Sequence, residues 1–179
     1  MVVAQPARRR SLAVRGWSAV AGVSLLVAGC GASDPRKYPP HPEEDVTRGI
    51  ETLEEALHRY AIDLPCQDGL RWFSDENIIG SGGVLYIRLT PSDACLRSLV
   101  SNLGGDPAGE RRVRDEGTWS LPQIPLNLDW RFPPDHDLGT YKVPQRMGGA
   151  RNHVTNTHLI VDHTEVPMTV FLVSRSPDS

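Results

Sequence analysis

The sequence predicts an α+β fold: an antiparallel sheet of four or five strands with two helices on one face. Three observations lead to this prediction. Apolar residues recur at helical spacing in two segments, β-rich runs occur in four others, and glycine or proline clusters separate them. Along the chain these segments follow one another as helix, two strands, helix, long irregular segment and hairpin.

The first predicted element is a helix from about Glu43 to Tyr60. The acidic residues 43–45 suit the positive end of its dipole, and Leu64 and Pro65 end the helical run. The stripe expected to face the core consists of Val46, Ile50, Leu53, Leu57 and Ala61.

Two strands should follow, Leu70 to Phe73 and Val84 to Leu89. Alternation places the two leucines of the second strand and Ile87 on one face. Residues 80–83, Gly-Ser-Gly-Gly, allow the positive φ angles of a turn, so we expect antiparallel neighbours.

A second helix should begin after Thr90, whose hydroxyl can cap it, with Pro91 first in the helix and Asp93 three residues after the cap. Its buried stripe would be formed by Leu96, Leu99, Val100 and Leu103. Gly104 and Gly105 follow where helices commonly end with glycine.

The segment from Asp106 to Asn152 is rich in Gly, Pro, Arg and Asp, and we expect mostly loop there. Only Ile124 to Trp130 hints at extended structure. Order should return with a terminal hairpin, because Thr157–Val161 and Met168–Ser174 are β-rich runs around a turn near His163 to Pro167.

Residues 1–29 have the layout of a signal peptide. Four arginines and no acid precede an apolar stretch from Trp17 to Ala28. At about 1.5 Å per residue this stretch covers only ~18 Å, short of the ~30 Å hydrocarbon core of a bilayer. It therefore predicts a cleaved leader rather than a transmembrane helix.

Residues Leu26 to Cys30 resemble the lipobox of bacterial lipoproteins, in which small residues precede a lipid-bearing cysteine. The resemblance implies cleavage after Gly29 and lipidation of Cys30 by a diacylglyceryl group. Two acyl chains are enough for stable anchoring. The alternative is an ordinary secretory signal in which Cys30 is incidental.

The run from Arg9 to Ala13 is similar to a twin-arginine export signal, although Arg8 stands where such signals usually have Ser or Thr. That route would carry the domain across the membrane already folded. The alternative is a generic basic region for the general secretory route.

After the leader we expect a lipidated cysteine and flexible tether at 30–42, which holds four prolines, and a single domain at 43–176. Without the leader arginines the chain has 15 basic and 22 acidic residues, a net charge of −7. Phosphates and anionic headgroups repel such a domain, so we expect no nucleic-acid partner. The membrane is expected as a partner through the lipid on Cys30.

Cys66 and Cys95 form an even pair once Cys30 carries lipid, and exported domains usually oxidise such pairs. We expect a disulfide that ties the loop after the first helix to the second helix. The alternative is two separate buried thiols.

Two groups of histidines could bind a metal. His153, His158 and His163 are evenly spaced, with Asp162 beside the last, but residues five apart on a strand point to opposite faces. The run 135–137, Asp-His-Asp, is denser, yet loop neighbours seldom converge on one ion without outside ligands. We therefore expect surface or turn histidines and predict no metal site and no cofactor.

Ser81 is the candidate nucleophile, because glycines surround it. The nucleophile elbow of serine hydrolases needs glycine two residues before the serine, and Ile79 occupies that place. Aromatics that could line a sugar or peptide groove, but more typically fill a core, are Trp72, Trp119, Trp130 and Tyr141. We predict no catalytic residue, and no enzyme.

The body combines Leu64-Pro65, an aromatic strand at 71–73, Leu-Tyr-Ile-Arg-Leu at 85–89, a Pro-started helix at 91–103 and a closing hairpin from 161 to 173. In this combination it is similar to a group of small actinobacterial lipoproteins of unknown function. These motifs are structural, so the resemblance implies a fold and no activity.

Together these features predict a lipid-anchored protein on the extracytoplasmic face of the cell membrane, whose domain binds a protein partner or a small ligand. The alternative is an extracytoplasmic hydrolase with a site in residues 106–152, which His136 or His153 beside carboxylates would favour. A third possibility is a structural or inhibitory domain that presents one sheet face to another protein.

Overall fold

The computed structural model describes residues 34–39, 51–75, 83–116, 122–148 and 153–176. They belong to one compact unit, Ser33–Ser179, with an α+β architecture dominated by antiparallel sheet. Its helices are α1 (Leu53–Arg59), α2 (Asp93–Asn102) and α3 (Val113–Glu116). Its strands are β1 (Arg71–Asp75), β2 (Val84–Leu89), β3 (Glu110–Arg112), β4 (Leu138–Tyr141), β5 (Arg146–Gly148), β6 (His153–Asp162) and β7 (Thr169–Arg175).

The strands are ordered β1-β2-β7-β6-β4-β3, and β5 pairs with the beginning of β6. Every pair is antiparallel. The two predicted hairpins are confirmed, with Trp72 opposite Ile87 in β1–β2 and Ile160 opposite Phe171 in β6–β7. The last strand of the chain thus lies inside the sheet, where it joins these two hairpins.

The prediction of four or five strands was too low, because residues 106–152 were expected to be mostly loop. Within the described ranges, three of the seven strands and α3 come from this segment. Strands of three or four residues are too short for alternation to reveal them. Between β4 and β5, residues 142–145 belong to no strand, which accommodates Pro144 because proline has no N–H to donate to a sheet.

One face of the sheet packs against helices α1 and α2. Leu53 of α1 and Leu99 of α2 join Ile87, Leu159 and Leu172 of the sheet in one apolar cluster, and all five are fully buried. Both longer helices contribute to this face, while the unpredicted α3 contacts β3 and β4 at one edge. The predicted inward row Leu85, Ile87 and Leu89 is confirmed.

The opposite face carries a second, aromatic cluster. The rings of Tyr86 and Phe171 project from this face, and both contact the ring of Trp130 from the segment 122–132. Leu128 and Tyr38 complete the cover. The hint of extended structure at 124–130 therefore corresponds to a non-strand segment that buries its apolar side chains on the sheet.

Helix α1 is shorter than predicted. Thr52 is extended (φ −79°, ψ 162°), so no single helix runs from 43 to 60, and residues 43–50 lie outside the described ranges. The Thr52 hydroxyl accepts a hydrogen bond from the Glu55 N–H, and the Glu55 carboxylate accepts one from the Thr52 N–H. This capping box starts the helix at Leu53.

Helix α2 begins two residues later than predicted, because Ser92 rather than Thr90 is its N-cap; its hydroxyl accepts a hydrogen bond from the Cys95 N–H. The predicted buried stripe is confirmed. At the other end Gly104 has φ +79°, and the N–H of Gly105 donates to the carbonyl of Val100. These features form the glycine-dependent Schellman ending.

Residues 34–39 differ from the flexible tether expected at 30–42. Backbone hydrogen bonds join them to the outer edge of β1, where Lys37 forms a parallel bridge with Trp72. Tyr38 is only 5% exposed. Burial of this ring outweighs the preference of a proline-rich segment for a free extended chain.

Candidate functional site

The predicted disulfide joins Cys66 and Cys95, with their Cα atoms 6.2 Å apart. Cys66 lies in the loop after α1, and Cys95 lies buried in the first turn of α2. The bond therefore ties the loop after α1 to α2, as predicted. Cys30, the predicted lipid site, precedes the described residues.

Two histidine–carboxylate pairs lie at the end of β6. Asp162 is the last residue of that strand and His163 follows it. The Nδ1 atom of His136 is 2.6 Å from Asp162 Oδ2, and the Nε2 atom of His163 is 2.5 Å from Glu110 Oε1. Each pair joins the end of β6 to a different segment of the chain.

The two pairs lie on opposite faces of the sheet. Asp162 is on the same face as Ile160, two residues earlier, and hence on the aromatic face. Glu110 lies directly opposite Tyr141, which belongs to the helix-covered face. The end of β6 is therefore held from both sides.

Hydrogen bonds through the backbone fasten the loop around Asp137 to the turn after β6. The N–H of His163 donates to the Asp137 carbonyl (3.0 Å), and the N–H of Asp137 donates to the Thr164 hydroxyl (2.8 Å). The N–H of Thr164 in turn donates to Asp162 Oδ1 (2.9 Å). Asp162 thus accepts hydrogen bonds on both of its carboxylate oxygens when His136 carries a proton on Nδ1.

Electrostatics favour the charged form of both members of the His136–Asp162 pair. The hydrogen bond to Asp162 raises the pKa of His136, with smaller contributions from Asp135 and Glu165. Burial raises the pKa of Asp162, but hydrogen bonds from His136 and Thr164 outweigh it, so the pKa is lowered. The Asp162 side chain is 4% exposed and that of His136 is 24% exposed.

An imidazole oriented by a buried carboxylate is part of the machinery of general-base catalysis. A nucleophile is the further requirement. In the ranges that the structure describes, no serine, threonine or cysteine side chain hydrogen-bonds His136, and no three His, Cys, Asp or Glu residues converge as metal ligands. In this part of the chain the geometry provides an oriented base without a nucleophile beside it.

The other candidate residues lie apart from these pairs. His158 is exposed on β6 opposite Val173, and its pKa is lowered by desolvation and by Arg175. Trp72, Trp130 and Tyr141 are buried in the two clusters, as their core interpretation predicted. Three further candidates lie outside the parts of the chain that the structure describes: the Ser81 loop, Trp119 and the side chain of His153.

Sequence reasoning did not find the partners of the two histidines. Asp162 is 26 residues from His136, and Glu110 is 53 residues from His163. No fixed spacing links residues that antiparallel pairing brings together. The adjacency of Asp162 and His163 was the one visible signal, and it pointed to a shared ion rather than to two separate pairs.

Among the described residues there is no helix with the length and apolar character needed to span a bilayer. Comparison of the chain with protein-family models, curated proteins and solved structures gives no match in any of the three. Function is therefore inferred from the chain's own residues.

Proposed function

We propose that this protein is a lipid-anchored lipoprotein of the extracytoplasmic membrane face, whose domain binds a protein partner or a small ligand. The observation that carries the proposal is the Cys66–Cys95 disulfide. Such bonds persist in oxidising compartments and are rare in the cytosol, where thiols are kept reduced.

The use of the three cysteines supports lipidation. Two of them pair with each other, which leaves Cys30 as the remaining thiol. Cys30 follows Leu-Val-Ala-Gly, the lipobox-like sequence at the end of an apolar stretch. Lipid on its sulfur would leave no free thiol in the exported protein, which agrees with the chemistry of an oxidising compartment.

The roles of the histidines favour binding over catalysis. His136 and His163 each contact a carboxylate from another segment, and so fasten the loop around Asp137 and the turn after β6 to the sheet. Loops held on a rigid sheet form a preorganised surface, which lowers the entropic cost of binding.

The lipid anchor is tested by producing the full chain and Cys30→Ala in a bacterial host supplied with an alkyne-tagged palmitate. We expect the full chain to incorporate the tag, to be recovered with membranes and to show an intact mass that begins at lipidated Cys30. Cys30→Ala should incorporate none. The double variant Cys66→Ala/Cys95→Ala is the matched control and should keep the tag.

Two results would overturn the anchor. One is a native protein whose amino terminus is unmodified and lies elsewhere. The other is Cys30→Ala that is still cleaved and still carries the tag. Because globomycin inhibits the lipoprotein signal peptidase, treated cells should accumulate the uncleaved full chain.

The second candidate function is an extracytoplasmic hydrolase, which the His136–Asp162 pair favours because the imidazole is oriented by a buried carboxylate. It is tested with ester, peptide and glycoside substrates on the native protein, His136→Gln and the matched control His163→Gln. Turnover that disappears only in His136→Gln would establish this function. Absence of turnover, or equal turnover in the three proteins, would contradict it.

A further inference from the structure

The six residues 34–39 run along the outer edge of β1. The N–H of Tyr38 donates to the Trp72 carbonyl (2.8 Å), and the N–H of Trp72 donates to the Arg36 carbonyl (3.0 Å). These residues therefore extend the sheet beyond β1 by a short parallel segment.

Side chains fix this segment at both ends. At its start Asp34 accepts hydrogen bonds from the Arg36 guanidinium and from the indole N–H of Trp72 (3.2 Å). At its end Tyr38 is buried, and its hydroxyl accepts a hydrogen bond from the indole N–H of Trp130 (3.1 Å). The Asn127 amide donates to the carbonyl of Pro39. The segment is bound to the domain rather than only preceding it.

The docked segment begins close to the proposed lipid site. Asp34 is four residues after Cys30. At no more than ~3.6 Å per residue, four residues of fully extended chain span about 14 Å. A lipid on Cys30 would therefore hold Asp34, which accepts a hydrogen bond from Trp72 of β1, within about 14 Å of the membrane surface.

We infer that the lipid bilayer is the docking surface for the β1 edge of the domain, an inference that rests on the proposed lipidation of Cys30. The sheet rises from this edge, and β3 forms its far edge. Five strand spacings of ~4.8 Å separate β1 from β3, about 24 Å. The end of β6, which carries both histidine–carboxylate pairs, lies three strand spacings, about 14 Å, from β1.

This orientation is inferred from the short chain between Cys30 and Asp34, and it does not depend on attraction between basic side chains and the membrane. The cations near the segment already have contacts within the domain: Arg36 pairs with Asp34, Lys37 lies 4.7 Å over the Trp72 ring, and Arg71 lies 4.5 Å over the Tyr38 ring. We therefore expect the same orientation on neutral and anionic vesicles.

The test uses the lipidated protein purified from membranes, with Cys30 lipidation verified by mass spectrometry, in phosphatidylcholine vesicles that contain an acceptor-labelled lipid. A donor dye is attached to a single added cysteine, since Cys66 and Cys95 are oxidised. Glu54→Cys is the near position, because Glu54 is exposed in α1 and its negative charge helps to raise the pKa of Arg36. Arg114→Cys, exposed in α3 beside β3 and β4, is the far position.

We expect energy transfer to be roughly twofold more efficient from the near position, given the ~24 Å between the sheet edges. A spacer of about twenty Gly and Ser residues inserted before Ser33 adds roughly 25 Å of flexible chain, and should abolish the difference. This insertion leaves every described contact intact.

Equal transfer from the two positions in the protein with its natural tether would overturn the inference, as would a difference that the spacer does not change. If mass spectrometry finds Cys30 unmodified, the proposed function fails and the inference fails with it. Equal transfer with lipid present overturns the orientation alone.

Discussion

The indole N–H of Trp130 donates a hydrogen bond to the hydroxyl of Tyr38, 92 residues earlier in the chain, at 3.1 Å. Both side chains are buried. This bond joins the docked segment 34–39 to the segment 122–132 that covers the aromatic face. The two irregular segments thus stabilise each other on the sheet.

Tyr38→Phe should lower the free energy of unfolding by about 1–3 kcal/mol, because it leaves the buried Trp130 N–H without an acceptor. Urea unfolding followed by fluorescence measures the change. In the background of Trp130→Phe the same substitution should cost less, since the donor is gone. An equal cost in both backgrounds would contradict a direct interaction.

Cys66→Ala/Cys95→Ala should lower the free energy of unfolding by roughly 3.6 kcal/mol, the chain-entropy value for a closed loop of about 30 residues. The measurement is chemical denaturation of the native and double-variant proteins with and without reductant. Reductant should destabilise the native protein and leave the double variant unchanged. Equal free energies of unfolding for the native protein and the double variant without reductant would argue against the bond.

His136→Gln should change how stability depends on pH. The pKa of His136 is raised from 6.5 by its hydrogen bond to Asp162. The contribution of His136 to the free energy of unfolding is therefore complete below pH 6.5, and it is lost as the pH rises through the pKa of His136 in the folded protein. The pKa of Asp162 is lowered from 3.8, so its contribution is complete above pH 3.8 and is lost on acidification. The stability difference between the native protein and His136→Gln should therefore be greatest between pH 3.8 and 6.5.

Denaturation midpoints measured across this pH range test the expectation. His58→Gln, at an exposed position on α1, is the matched control, because it removes a histidine on another element. A native profile in His136→Gln would show that the pair is not ionised as described.

Gly139→Ala should destabilise the protein by about 0.5–1 kcal/mol, because a Cβ atom there would collide with the flexible Glu110 carboxylate and displace it from its exposed contact with His163. Thermal or urea unfolding measures the loss. In the background of Glu110→Ala, the same substitution at Gly139 should cost nothing, since the obstructing carboxylate is absent. A loss that persists in this background would locate the strain elsewhere.

The elements predicted from sequence were those with strong local signals. Helix α2 has a regular apolar stripe from Leu96 to Leu103 and paired glycines after it, and the burial of this stripe was predicted correctly. The error at α1 came from extending the apolar period through Thr52, whose capping box with Glu55 is itself a sequence signal. Local hydrogen bonding there outweighed periodicity.

The histidine–carboxylate pairs could not be predicted in the same way. His136 meets Asp162 because β4, which begins at Leu138, pairs with the end of β6. The strand β4 is four residues long and has no alternation that separates it from loop. The prediction of loop in this segment therefore concealed the interaction.

The sequence by itself determined the class of the fold, the two hairpins, the apolar stripe of α2 and the choice of Cys66 and Cys95 as partners. It could do so because periodicity, turn residues and cysteine number act locally or by simple counting. The tertiary structure alone decided that residues 34–39 lie against β1, that the middle segment adds three strands, and that Asp162 and Glu110 each receive a histidine. Those features depend on contacts between residues distant in the chain, whose free energy arises only when the sheet has formed and both of its faces can be covered.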